Sequence, residues 1–330
     1  MYKIKQLSED FVVKEIITPR VVRKDGFLLY WMHKKEYTTS RAVHAIARAL
    51  KIPPKFIGYA GNKDKNAVTQ QLISVKGVPR KRVDDVSIKD IQLEYEGVSD
   101  SPISLGDHEG NSFEIIVRNI AKKDYDRMVH NKDRVPNFFG EQRFSKNNAE
   151  VGKLLVKKQF RKAAEILKKG SGEQEKKIKH YLEENKNDHV GAIRTIPKKT
   201  LRLYVHAYQS KLWNQTAEQL LKKKHSSLSQ MTNIKVPIIG FGTDLKDKQV
   251  KETISRIMKK EKISKRDFII KQIPELSAEG GERYLFTEPR NLDIGVLEDD
   301  EMNKKKKKVL LRFILPKGSY ATVVVKYLLA

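Results

Sequence analysis

The sequence predicts an α+β fold in two units, and three features carry that prediction. Short runs rich in aromatic and β-branched residues, interrupted by one amphipathic helical segment, fill the chain to about residue 150. Apolar residues then recur at helical spacing to about Lys224, and the last forty residues return to strand-like runs. At 330 residues the chain has room for two domains of about 150 residues each.

Residues 10–17 and 26–32 read as the first two strands, because each is short, rich in Phe, Val, Ile, Tyr or Trp, and bounded by charge or glycine. Thr38, Thr39 and Ser40 then offer N-cap hydroxyls. Val43, Ile46, Ala47 and Leu50 mark one helical face before Pro53 and Pro54 close the segment. Further strands are expected at 56–60, 70–75 and 112–118, giving an α+β sheet covered on one face by helices.

From Asn148 the pattern is mostly helical, with Val151, Leu154, Leu155, Ala163, Ala164, Leu167, Val205, Tyr208, Leu212 and Leu220 recurring at helical spacing. Residues 168–187 are dense in charge and read as a solvated helix or loop. Residues 309–315 and 321–328 read as closing strands, the second because Thr322, Val323, Val324 and Val325 are all β-branched. If these strands complete the first sheet, the helical unit is an insertion. The expected division is residues 1–154 plus 281–330 for the first domain and residues 155–280 for the inserted one. The run from Lys304 to Lys308, following Asp299, Asp300 and Glu301, reads as an exposed turn, with a phosphate-contacting loop as the alternative.

Lys and Arg number 67 against 41 Asp and Glu, a formal net charge of +26. An excess this large points to a polyanionic partner, nucleic acid first, because each neutralised phosphate releases condensed counterions. An anionic membrane surface fits less well: the basic residues do not gather on one amphipathic helix, and no apolar run approaches the roughly 20 residues of a span. The chain has no cysteine, which excludes disulfides, thiolate metal sites and cysteine nucleophiles. Its eight histidines, His225 among them, show no paired spacing such as H-E-x-x-H, so no metal is expected. Gly240 and Gly242 lack the third glycine of a dinucleotide fingerprint and read as turn residues, and no P-loop pattern appears, so no nucleotide cofactor is expected either. Residues 1–6 are too polar for a secretory signal, and a cytoplasmic protein is the default expectation.

The densest polar cluster between two strand-like runs is Gly58 to Gln71. Gly61 reads as the residue that permits a tight turn, presenting Lys63, Asp64 and Lys65 at a sheet edge where sites often lie. Taken alone the same residues describe a solvated turn.

Ala60, Gly61, Lys63, Asp64, Lys65, Ala67, Thr69 and Gln71 stand in the spacing of AGxKD(K/R)xAxTxQ, and residues 135–144, from Val135 through Asn137, Phe139 and Arg143 to Phe144, match VPN(Y/F)FGxQRF. Both patterns resemble signatures of the TruD family of pseudouridine synthases. Three shorter segments are similar to the same family: Glu9 to Val13 with Lys5 upstream, Gly110 to Phe113, and Leu315 to Thr322. Residues 207–214 carry what resemblance there is within the insertion. Ser8 replaces the usual proline of the opening motif, and Ser145 follows Phe144 where glycine is common.

The resemblance implies a pseudouridine synthase catalytic domain, a mixed, mainly antiparallel sheet with flanking helices, facing a helix-rich α/β insertion domain across a basic cleft that holds RNA. It implies an isomerase acting on tRNA, uridine 13 of the D arm being the family's usual target, without metal, cofactor or external energy. Asp64 falls on the catalytic position. A carboxylate can attack C1′ of the uridine or remove a proton there, and later serve proton transfer as the new bond forms. It must be ionised under the base, which calls for a nearby cation; Lys5 is the family-implied partner, and Glu9 could orient that lysine. Phe139 is implied to stack the uracil and Asn137 to hydrogen-bond near the carboxylate. Arg143 fits a phosphate contact or a structural ion pair. Lys63 and Lys65 could touch the RNA backbone, and Thr69 and Gln71 are expected to stabilise the loop. The alternative from another class is a noncatalytic RNA-binding or tRNA-folding protein using the same cleft.

Overall fold

A computed structural model of the chain describes residues 1–22, 26–130, 134–144, 147–223 and 231–330. Ser145, Lys224 and His225, named above, lie outside the described residues. The chain forms two compact units, Met1–Val135 with Thr287–Ala330, and Pro136–Phe286.

The first unit opens with strands β1 (Phe11–Ile16) and β2 (Phe27–Lys35), helix α1 (Thr39–Leu50) and strands β3 (Ile57–Tyr59) and β4 (Val68–Val75). Helix α2 (Arg80–Asp84), strands β5 (Ile91–Ser99) and β6 (Gly110–Ile120), helix α3 (Lys122–His130) and strand β7 (Val135–Pro136) follow. The middle of the chain contributes α4 (Asn148–Val156), α5 (Phe160–Leu167), α6 (Glu173–Glu184), α7 (His189–Arg194), α8 (Lys198–Lys223), β8 (Lys235–Ile238), α9 (Lys248–Glu261) and β9 (Gly281–Tyr284). After β10 (Phe286–Thr287) come β11 (Arg290–Ile294), β12 (Glu298–Asp299), β13 (Lys307–Pro316) and α10 (Ala321–Leu328).

In the first unit the described residues build one nine-stranded sheet, ordered β11-β13-β6-β1-β4-β2-β5, with β12 on β13 and β3 on β4. β1 and β4 run parallel and the other pairs antiparallel, so the sheet is mixed and mainly antiparallel, the α+β class the sequence predicts. Thr38 caps α1, its Oγ1 accepting from Arg41 N at 3.2 Å. The buried face of α1, Ala42, Val43, Ile46, Ala47 and Leu50, packs with Tyr30, Met32, Ile73 and Val75. Each fully buried aliphatic side chain of this kind contributes about 1.5–3 kcal/mol. A second cluster joins Phe11, Val13, Ile115, Val117, Leu311 and Phe313 to Val324, Val325 and Leu328.

Those last residues correct the sequence reading. The run 321–328 is helix α10, with Ala321, Val324, Val325 and Leu328 buried. That spacing is one helical face, and burying it overrides the strand preference of three consecutive valines. Lys304 and Lys305 do lie exposed in a turn between β12 and β13, while Lys307 and Lys308 pair with Asp299 and Glu301 at 2.8 and 2.7 Å.

The second unit is mainly helical around Val151, Leu155, Tyr208, Leu212, Trp213, Ile254 and Phe268. Gly152 lets α4 touch α8, since a Cβ there would lie 1.9 Å from Tyr204 O. The junctions therefore differ from those expected at 154/155 and 280/281. Residues 136–154 and 281–286 belong with the second unit, because α4 buries its apolar face against α8 and β9 pairs with β8. Gly240 and Gly242 sit in the turn after β8. Among the described residues no helix is long and apolar enough to cross a membrane.

Candidate active site

The loop from Ala60 to Ala67 joins β3 to β4, whose antiparallel pairing runs from Ile57 opposite Val75 to Tyr59 opposite Ile73. Its main chain is fixed by side chains from three other elements. Gln71 Nε2 donates to Gly61 O at 3.0 Å, Lys63 N donates to Thr39 Oγ1 at 2.8 Å, and Thr39 Oγ1 donates to Gln71 Oε1 at 2.8 Å. Lys34 Nζ donates to Asp64 O at 3.1 Å. Gln71 thus stabilises the loop as expected. Thr69 Oγ1 is buried with no hydrogen-bond partner among the described residues. Gly61 is explained less by turn geometry than by close approach: its φ is not in the left-handed region, and a Cβ would stand 3.2 Å from His108 Cε1.

Asp64 and Lys5 meet. Lys5 Nζ donates to Asp64 Oδ2, and the side chains are 14% and 36% exposed for the lysine and the aspartate. The lysine is held on its other side by Phe11, whose ring centroid is 4.0 Å from Nζ. Lys5 itself has a φ of 58°, a left-handed backbone that a non-glycine residue adopts only when its surroundings impose it. The arrangement presents a partly exposed carboxylate beside a shielded cation.

Two assignments are corrected. Lys63 does not face solvent: its side chain is 5% exposed and pairs with Glu15 Oε1 at 2.5 Å, with Asn111 Oδ1 at 2.8 Å. Burial pushes the Lys63 ammonium down while Glu15 pulls it up. A lysine so enclosed ties the loop to β1 and β6. Glu9 does not orient Lys5; it is exposed, and its carboxylate receives Lys35 Nζ, which lowers its pKa. Lys65 is exposed, as a residue able to meet solvent or phosphate must be.

The other motif residues belong to the second unit. Asn137 is 8% exposed, donates through Nδ2 to Tyr284 O at 3.2 Å, and receives Arg283 Nη2 on Oδ1 at 2.6 Å. Phe139 is half-buried; its N–H donates to Asn214 Oδ1 at 2.9 Å and its carbonyl accepts from Asn214 Nδ2 at 3.0 Å. The ring meets Trp213 edge-on with centroids 5.6 Å apart, and the Arg283 guanidinium lies 4.3 Å from its centroid. Arg143 donates to Ser210 Oγ at 3.3 Å and its guanidinium is 5.9 Å from the Phe139 centroid. These contacts give Phe139 a fixed main chain and a cation on its ring.

Lys34, Glu15 and Arg283 were not singled out in the sequence, and Thr39 was named there only as a helix-cap hydroxyl. The first two carried a signal, however. Phe11, Val13 and Glu15 are buried at alternate positions of β1, and Tyr30, Met32 and Lys34 at alternate positions of β2. A charge that continues a core-facing alternation is a site marker in its own right. Arg283 offered no comparable pattern.

The family model of tRNA pseudouridine synthase D (TruD) matches residues 2–177, 167–233 and 228–328. A protein named "Probable tRNA pseudouridine synthase D" from Nanoarchaeum equitans and one named "Probable tRNA pseudouridine synthase D 2" from Methanocaldococcus jannaschii are each 30% identical to this chain. The matches cover 99% of this chain and 98% of the first, and 98% of this chain and 90% of the second. A solved structure of a Methanosarcina mazei protein assigned to TruD aligns with a TM-score of 0.73 at 27% identity, over 99% of this chain and 93% of that one. The chain therefore belongs to the tRNA pseudouridine synthase D (TruD) family.

Proposed function

We propose that this chain isomerises a specific uridine of tRNA to pseudouridine, uridine 13 of the D arm, with Asp64 as the catalytic carboxylate. The observation that carries the reading is the pairing of Asp64 with Lys5 on a loop whose main chain is pinned by Gln71, Thr39 and Lys34. The reaction breaks the N1–C1′ bond, turns the uracil, and rejoins it through C5. Whether the first event is attack on C1′ or proton removal there, it begins with Asp64 as an anion, and Lys5 supplies the opposite charge. Phe139 is the proposed stacking surface for the base, Asn137 and Arg143 its proposed polar neighbours, and Lys65 a proposed phosphate contact. The net charge of +26 supports tRNA as the polyanion bound.

The test is incubation with unmodified tRNA followed by carbodiimide-dependent primer extension. A single new stop at position 13 is expected with the wild type and none with Asp64→Ala, while most tRNA affinity remains in the variant because affinity rests on the basic surface. Conversion by Asp64→Ala would sink the assignment of the carboxylate, and stops elsewhere would sink the assignment of the position.

A further inference from the structure

Lys34 is the penultimate residue of β2 and is 2% exposed. Its ammonium donates to Tyr37 O at 2.6 Å and to Asp64 O at 3.1 Å. Both acceptors are main-chain carbonyls, so among the described residues no carboxylate touches this buried cation. Burying a charge without a direct counter-ion is costly, and a chain retains such a group where it serves the site. The cation is also placed with purpose, since one ammonium ties together the end of β2, the segment leading into α1 and the loop that carries Asp64.

We propose that Lys34 is a positioning residue for the isomerisation, fixing the main chain of Asp64 so that its carboxylate stays against Lys5; the inference rests on the reading of Asp64 as the catalytic group. Rotation of the Asp64 peptide would swing that carboxylate, and a displacement of about 1 Å at a reacting group lowers rate by about 100-fold. The contact is made to the peptide and not to the carboxylate, so Lys34 acts through Asp64 and has no need to reach the RNA.

The charged groups facing Lys34 are Asp64, which favours its ammonium form, and Lys63, which opposes it and is itself bound by Glu15. Burial outweighs both and pushes Lys34 down to about 8. The lysine is therefore charged at neutral pH and begins to lose its charge at mildly alkaline pH.

The experiment compares wild type, Lys34→Met, Lys34→Arg and Asp64→Asn in single-turnover conversion of saturating unmodified tRNA, with tRNA affinity and circular dichroism measured in parallel. Lys34→Met is expected to slow the bound-state rate by about 100-fold with affinity unchanged, and Lys34→Arg to recover part of the loss because it keeps the charge and the donors. The wild-type rate is expected to fall as pH passes about 8, and that fall to be absent from Lys34→Met. A Lys34→Met rate equal to wild type, or a loss seen in affinity alone, overturns the proposal. If Lys34→Met does not fold, Lys34→Gln takes its place, since its amide removes the charge and cannot reach both carbonyls from the end of β2, and a Lys34→Gln rate equal to wild type overturns the proposal. Full activity in Asp64→Asn would refute the catalytic assignment separately, so the two failures are told apart.

Discussion

Replacing Lys63 by Met separates a loop-anchoring lysine from an RNA-contacting one. The ammonium and Glu15 Oε1 are 2.5 Å apart, with side-chain exposures of 5% and 0%. Lys63→Met keeps most of the stem but leaves the Glu15 carboxylate in the core with the Leu72 N–H, at 3.1 Å, on its other oxygen. Breaking one side of a buried pair destabilises by about 3–5 kcal/mol, because the remaining charge is neither hydrated nor compensated. In a unit of this size the melting temperature should fall by about 6–20 °C. Lys63→Met with Glu15→Gln removes both charges and should recover most of the loss, giving a coupling of about 2–3 kcal/mol in a double-mutant cycle. Urea denaturation of the wild type, both single variants and the double variant measures these terms. Binding of tRNA across a salt series supplies the contrast, since a lysine on phosphate contributes about 0.7–0.9 to the slope of log affinity against log salt. The slope should be unchanged in Lys63→Met. A stability loss under about 1 kcal/mol together with a shallower slope would refute the structural assignment and restore Lys63 to the RNA interface.

Helix α10 predicts that Val324→Ala and Val325→Ala each destabilise by about 1–3 kcal/mol in urea denaturation, because neighbouring positions are both buried. A strand with one face on the core buries one parity only, so a large effect at 324 with none at 325 would return the segment to such a strand. Lys34 makes stability depend on pH. Its folded value, about 8, lies below the ordinary 10.5, so between those values the unfolded chain holds more protons than the native one and stability rises with pH. At 1.36 kcal/mol per pH unit the rise reaches about 3 kcal/mol relative to Lys34→Met, whose difference from wild type should be constant below about pH 8. A difference that does not change between about pH 8 and about pH 10 would show that Lys34 is not desolvated.

The parts of this fold that were legible in the sequence are those in which local pattern and burial agree. The strands at Phe11–Ile16, Phe27–Lys35 and Lys307–Pro316 and the helix at Thr39–Leu50 all put apolar residues at the period of their own element. Helix α10 was misread because intrinsic preference and packing disagree there: Val323, Val324 and Val325 favour a strand locally, and only the tertiary arrangement reveals that Ala321, Val324, Val325 and Leu328 form the buried face. The compact units divide away from the expected junctions for a related reason. Residues 136–154 continue the first domain's motifs in sequence, but α4 can bury Val151 and Leu155 only against α8, 50 or so positions later.

At the site, the motif fixed which loop mattered and left open what each lysine does. Lys5, Lys34, Lys63 and Lys65 are chemically identical, and the net charge of +26 treats them alike. Burial and partners divide them. Lys65 is exposed, Lys63 is enclosed with Glu15, Lys34 is enclosed with two carbonyls, and Lys5 meets the Asp64 carboxylate directly. Strand alternation explains why. Val13, Thr69 and Lys34 lie opposite one another across β1, β4 and β2, so Glu15, two residues on from Val13, and Lys34 share one sheet face with Thr69 and Gln71. A core face that ends in Glu15 on one strand and Lys34 on another has a polar patch below the Asp64 loop, and the loop's own Lys63 and main-chain carbonyls complete it. The two buried cations follow from that geometry, one taken by a carboxylate and the other by the peptide of the residue proposed to do the chemistry. If Lys34 were a surplus surface charge folded inward by chance, Lys34→Met would leave the rate of bound tRNA untouched; if it holds Asp64, the rate falls while the tRNA stays bound.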